Sequence, residues 1–157
     1  MQKPDWELIQ NELTKSFGKR FEFEKKPISI GIFAFIDNIK VDIVCYPHPL
    51  LELLYHEEGI RMYAEPDISA MKINAILGRG KKKDFWDMAE LLSNYTLGEI
   101  IDFYQNKFPN QQLLISIPNA LLHFSDADSG EDPVCLKHKT WPQIKKKIES
   151  EVNTYLK

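Results

Sequence analysis

Between Asp5 and Ser16 the apolar residues Leu8, Ile9 and Leu13 recur at helical spacing, and Gly18 follows as a stop. The period then changes. Phe21 to Lys26, FEFEKK, alternates as a strand does. Beyond it Ile28, Ile30, Ile32, Ala34 and Ile36 share one face, while Ser29, Gly31, Phe33 and Phe35 share the other. Asp37-Asn38 suits a tight turn, because both residue types tolerate positive φ. The return strand puts Ile39, Val41, Ile43 and Cys45 on one face and Lys40, Asp42 and Val44 on the opposite one, which predicts a β-hairpin. Pro47 and Pro49 end it. LLELLYHEEG, Leu50 to Gly59, reads as a short helical piece, and Ile60 to Ala64 as one more strand.

After Pro66 the period is helical. Asp67 is a suitable N-cap for a helix over Ile68 to Leu77, with Gly78 or Gly80 at its end. Asp84 to Tyr95 follows, with Phe85, Met88, Ala89 and Leu92 as an apolar stripe. Thr96 and Glu99 form a capping box for a helix that closes before Pro109, and another helix is expected over Gln111 to Leu122. Thr140 and Gln143 form a second box, with proline in the first turn, opening the C-terminal helix. The expectation is an α+β chain forming a single domain over 1–157. A helix and a small, mostly antiparallel sheet fill 1–64, and a helical part fills 65–157.

The 157 residues are 43% hydrophobic and 27% charged, a globular composition at a length that suits one domain. A net charge of −3 gives no general attraction for nucleic acid. Positive charge is nevertheless concentrated at Arg79 with Lys81 to Lys83, and again at Lys145 to Lys147. Each run is ordinarily a solvated face; taken together they make a candidate RNA-binding surface, whose affinity would fall steeply with salt. The start, MQKPDWELIQ, lacks the apolar stretch of a secretory leader. The longest uninterrupted apolar run, Ile32 to Ile36, is far short of the roughly 20 residues of a membrane span. Two cysteines make no disulfide framework, so a cytoplasmic location is expected.

Several side chains carry candidate chemistry. Lys72 and Arg79 share a helical face, with Ala75 and Ile76 between them. Two such cations can hold a triphosphate, or they can snorkel from a half-buried helix. Asp84 and Asp87 fall in the first turn of the next helix, where the dipole favours acids without any chemistry. Tyr63 and Trp86 are either base-stacking platforms or core. Asp42, beside Lys40 on a strand face, is either an outward polar residue of a half-covered sheet or a Mg²⁺-holding carboxylate. Gly78-Arg79-Gly80-Lys81 lacks the spacing of a phosphate-binding P-loop. Cys45-Tyr-Pro-His48 and Cys135-Leu-Lys-His138 leave a Cys₂His₂ zinc site open as an alternative.

In order, KVDIV and then DISAMKINAILGRGKKKDFWD resemble the AbiEii/AbiGii-type nucleotidyltransferase toxin family. The tail, LLHFSDADSGEDP followed by WPQIKKKI, is similar to that family's closing segment. The likeness covers nearly the whole chain, and the MKINAI…RG…KKDFWD block is its most distinctive part. It implies a DNA polymerase β-like nucleotidyltransferase fold with a helical C-terminal half. It also implies nucleotide transfer from a nucleoside triphosphate (NTP) to RNA with Mg²⁺, by a toxin that an antitoxin protein neutralises. By this resemblance Asp42 is the catalytic, metal-holding strand carboxylate, and Lys72, Arg79, Asp84 and Asp87 line the nucleotide site.

The family's first motif, Gly-Ser followed by Asp-x-Asp on an early strand, supplies the other metal ligands. No such stretch precedes Asp42, and the chain's Asp-x-Asp, Asp126-Ala127-Asp128, falls in the closing segment. The expectation is a nucleotidyltransferase-like domain truncated at its N-terminus and inactive alone. A complementing N-terminal strand in trans, or a homodimer, would cover its sheet edge. The alternative is a catalytically silent module that binds a partner protein or RNA.

Overall fold

The computed structural model describes residues 4–24 and 31–157, which form two compact units divided between Pro47 and His48. In the first, α1 (Trp6–Phe17) is capped by Asp5, whose carboxylate accepts from the Leu8 N–H at 3.0 Å, and Gly18 ends it at φ 55°. Strands β1 (Phe21–Phe23), β2 (Gly31–Ile36) and β3 (Ile39–Val44) form an antiparallel sheet in the order β1-β2-β3. Asp37 and Asn38 turn the hairpin with φ of 51° and 64°, so Ile36 faces Ile39 as the turn chemistry requires. Ile32 and Ala34 are buried on one face, paired with Ile43 and Val41, and α1 packs against β1 and β2. Glycine is needed at position 31, because a Cβ there would come within 2.4 Å of the Ile43 carbonyl oxygen. The alternation expected over Lys25 to Ile30 lies outside the described residues.

In the second unit, the segment read as a helical piece is instead a hairpin, β4 (Tyr55–Glu57) with β5 (Ile60–Met62). Glu58 and Gly59 carry φ of 49° and 79°, the positive pair of a type I′ turn, and this turn overrides the weak helical pattern. The helices follow: α2 (Glu65–Gly78), α3 (Lys82–Leu91), α4 (Leu97–Lys107), α5 (Ile117–Leu122), α6 (Ser125–Asp128) and α7 (Trp141–Tyr155). α2 packs against α3, α4 and α5, and α7 packs against the same three. Phe85, Met88, Ile100, Leu121, Ile144 and Ile148 are fully buried between them. Thr96 and Glu99 close the expected capping box, and Gln143 accepts from the Thr140 N–H at 2.8 Å. α5 begins only at the Ser116 cap, and Gln111 to Ile115 is irregular. The protein is therefore α+β. Among the described residues no helix is long and apolar enough to cross a membrane.

Asp67 is not the cap of α2. Ala64 holds that position, Pro66 fits the first turn where its missing N–H is not needed, and Asp67 lies inside the helix, wholly buried. Its carboxylate accepts from the N–H groups of Leu51 and Glu52 at 3.1 to 3.2 Å and from Lys107 Nζ at 2.5 Å. Lys107, equally buried at the end of α4, also donates to the Pro49 carbonyl at 2.7 Å and lies over the Tyr63 ring. Removing one partner strands a buried charge and orphans backbone donors. Lys107→Met should therefore cost about 3 kcal/mol in urea unfolding, with an unchanged denaturant slope. A loss below about 1 kcal/mol would show that the pair is dispensable.

Candidate functional site

Lys72 sits in the middle of α2, and Arg79 caps its C-terminus. Gly80 follows at φ 51°, a left-handed step that turns the chain, and α3 starts two residues later. This tight joint folds the first turn of α3 back on the end of α2. Asp84 consequently meets Arg79 in a fork: Nε donates to one carboxylate oxygen and a terminal guanidinium nitrogen to the other, both at 2.9 Å. Lys72 Nζ lies 3.7 Å from Asp84 and 2.5 Å from Asp87. The four residues singled out in this block of the sequence thus form one cluster.

Burial separates their roles. The Asp84 side chain is 0% exposed, while Asp87 is 50%, Arg79 49% and Lys72 25% exposed. Burial alone would raise the Asp84 carboxyl, but the Arg79 hydrogen bonds and the charges of Arg79, Lys72 and Lys83 outweigh it and hold the group below its ordinary range. The same hydrogen bond raises Arg79, against the effect of burial. Asp84 is therefore a fixed anchor that presents two partly exposed cations. Asp87 is a water-facing counter-ion to Lys72. A cavity of about 140 Å³ opens beside Arg79, lined by Gly78, Gly80, His123 and Asp126 among others.

Asp42 lies in the other unit, exposed on β3 opposite Phe33. Its strand neighbour Lys40 is paired with Glu24 at 2.8 Å. Among the described residues no three His, Cys, Asp or Glu side chains come together as a metal site. Within either unit, the described residues thus offer no donor set of the size that a Mg²⁺ or zinc ion needs. Asp126-Ala127-Asp128 is a helical turn, where Asp128 accepts from Trp141 Nε1 at 2.7 Å and from Lys145 at 3.0 Å. Trp86 is buried and stacked on Trp141, a core role. The two lysine runs do converge, since Lys82 and Lys145 both lie over the Trp141 ring. Each is met by an acid, however: Lys82 by Asp132 at 2.7 Å and Lys145 by Asp128.

Sequence reasoning missed two groups in this unit. Asp67 with Lys107 is one, since a contact across 40 positions leaves no local pattern. The other is Glu90, near the end of α3, which accepts from both Lys137 and Lys139. Cys135 lies beside these lysines. Its thiol is held below its ordinary value by the Lys139 backbone N–H, against burial, with help from the Lys137 N–H, the Trp86 side chain and the Lys139 charge.

The folded-state lowering of Asp84 fixes the sign of a pH effect. A carboxyl lowered from 3.8 stabilises the fold above that value, and the contribution is lost as pH falls through the folded-state value. Wild type should therefore lose more stability than Asp84→Asn between about pH 4 and pH 2, in acid titrations followed by circular dichroism. Parallel curves would contradict the pairing.

A protein-family model described as Nucleotidyl transferase AbiEii toxin, Type IV TA system, matches residues 7–155. The uncharacterized protein aq_aa25 of Aquifex aeolicus (strain VF5) is 29% identical over 152 residues, covering 94% of this chain and 71% of that protein. No solved structure matches the chain.

Proposed function

The chain belongs to the AbiEii nucleotidyl transferase toxin family of type IV toxin–antitoxin systems, and on that premise we propose that it binds a nucleoside triphosphate at the joint between α2 and α3. The observation that carries this reading is the convergence of Lys72 and Arg79 on the buried Asp84. Lys72 and Arg79 hold the phosphates as charge-assisted donors. Asp84 fixes the Arg79 fork, so that its outward N–H groups meet the ligand already oriented. Asp87 occupies Lys72 until the nucleotide takes its place.

The reaction of this reading is attack of an RNA hydroxyl on the α-phosphorus of the bound NTP. The hydroxyl oxygen bonds to that phosphorus and its proton passes to solvent water, while the bond from the phosphorus to the bridging oxygen breaks and pyrophosphate leaves. By the family resemblance Asp42 would be the strand carboxylate that helps to hold a Mg²⁺ ion, and such an ion would supply charge neutralisation at the phosphates. One strand carboxylate cannot hold that ion in catalytic geometry. In this reading the family's Gly-Ser and Asp-x-Asp segment supplies the remaining ligands, and a domain lacking it is inactive alone. An antitoxin protein is its neutralising partner.

Calorimetric titration of the four ribonucleoside triphosphates with Mg²⁺ tests the nucleotide site. Lys72→Ala should weaken the preferred NTP at least tenfold, and Asp84→Asn should weaken it with the fold retained. Asp87→Asn should bind as well as wild type or better, because it releases Lys72. If no NTP binds, or if Lys72→Ala binds unchanged, the fold serves as a silent module for a partner protein or RNA.

A further inference from the structure

A second cavity, of about 390 Å³, lies between the end of α3, the segment Lys137–Lys139 and the first half of α7. That volume is within the range of small-molecule sites. Lys137, His138, Lys139 and Lys147 line it together with the neutral hydrogen-bonding side chains of Ser93 and Gln143. No aspartate or glutamate is among its lining residues. Such a wall of amines, imidazole, hydroxyl and amide suits an anion with several oxygens. From these residues we propose that the cavity is an anion site for a phosphate group. The site uses none of the residues of the α2–α3 cluster and does not depend on the reading of that cluster.

Three further features support it. The acids that balance these lysines contact them without lining the cavity: Glu90 takes Lys137 and Lys139, and Glu151 takes Lys147 at 2.7 Å, one turn further along α7. A lysine ammonium has three N–H donors, and each carboxylate contact uses one, so donors are left for a ligand. Lys139 and Lys147 are 37% and 39% exposed, so these pairs are weak and open to competition from a dianion. His138 is held at φ 53°, a conformation unusual for a side-chain-bearing residue, with its N–H donating to the Cys135 carbonyl at 3.1 Å. That turn places three consecutive residues, Lys137, His138 and Lys139, along the cavity. Such backbone outliers concentrate at ligand sites.

The phosphate has two sources, a polynucleotide backbone or a free phosphorylated small molecule. Calorimetric titration with inorganic pyrophosphate, and then with a short single-stranded RNA, tests both on wild type, Lys139→Gln/Lys147→Gln, Lys146→Gln and Lys72→Ala. The expected result is a binding component that weakens at least tenfold in the double variant. The same component survives in Lys72→Ala and in Lys146→Gln, which removes an equal charge from the same helix outside the cavity. Each single variant, Lys139→Gln or Lys147→Gln, should give an intermediate loss. If the RNA displaces pyrophosphate from this component, the source is the polynucleotide. If pyrophosphate binds and the RNA does not displace it, the source is a small molecule. The proposal is overturned if neither probe binds, if the double variant matches Lys146→Gln, or if the whole signal disappears with Lys72→Ala. The last outcome would leave the nucleotide site standing alone.

Discussion

The helical unit is organised around one buried charge pair. Asp67 and Lys107 are both removed from solvent, and between them they satisfy two backbone N–H groups and one carbonyl of the segment Pro49 to Glu52. Removing two charges from water costs several kcal/mol each, and only a close pair with its remaining valences filled recovers that cost. The closeness therefore constrains geometry. α2 cannot slide along α4 without separating the pair, and the loop before β4 cannot leave without stripping the carboxylate of its two backbone donors. With the start of α2 fixed in this way, the position of its far end, Arg79, follows from the rigidity of a 14-residue helix.

At that far end the same physics recurs with a different balance. Asp84 is buried like Asp67, but its cationic partners reach solvent. A buried acid facing partly exposed cations fixes the position of positive charge at the surface. Asp87 shows the contrast: the same residue type, half exposed, and therefore a solvent-facing counter-ion to Lys72 rather than a buried anchor. Burial, more than charge, sets the two carboxylates apart. The joint with Gly80 makes this arrangement possible, because a left-handed step brings the two helix ends within hydrogen-bonding distance of each other.

Much of this was legible from local chemistry. The Asp37-Asn38 turn, the Thr96 capping box and the proline-bearing start of α7 all have signatures a few residues long and formed as read, and Gly80 turns the chain after α2 although that helix starts earlier than expected. The clustering of Lys72, Arg79, Asp84 and Asp87 was legible for the same reason, since all four lie within sixteen residues across one turn. Where local signals competed, the reading failed. Leu50 to Gly59 carries enough leucine and glutamate to look helical, yet Glu58-Gly59 imposes a hairpin turn. Asp67 has the residue type of a cap, and only the distant Lys107 shows why it is internal. The lining of the Lys137–Lys139 cavity is equally invisible, because it joins α3 to a turn more than forty residues away.

The central claim is that Arg79, held by Asp84, faces a triphosphate. The most direct measurement follows the Arg79 Nε–H resonance by ¹⁵N-edited NMR during titration with a non-hydrolysable nucleoside triphosphate. The account predicts a resolved, exchange-protected signal in the free protein, because Nε donates to Asp84. That signal should shift saturably with nucleotide and vanish in Asp84→Asn. A signal that is protected but indifferent to nucleotide would mean that the pair is purely structural and that the nucleotide site lies elsewhere.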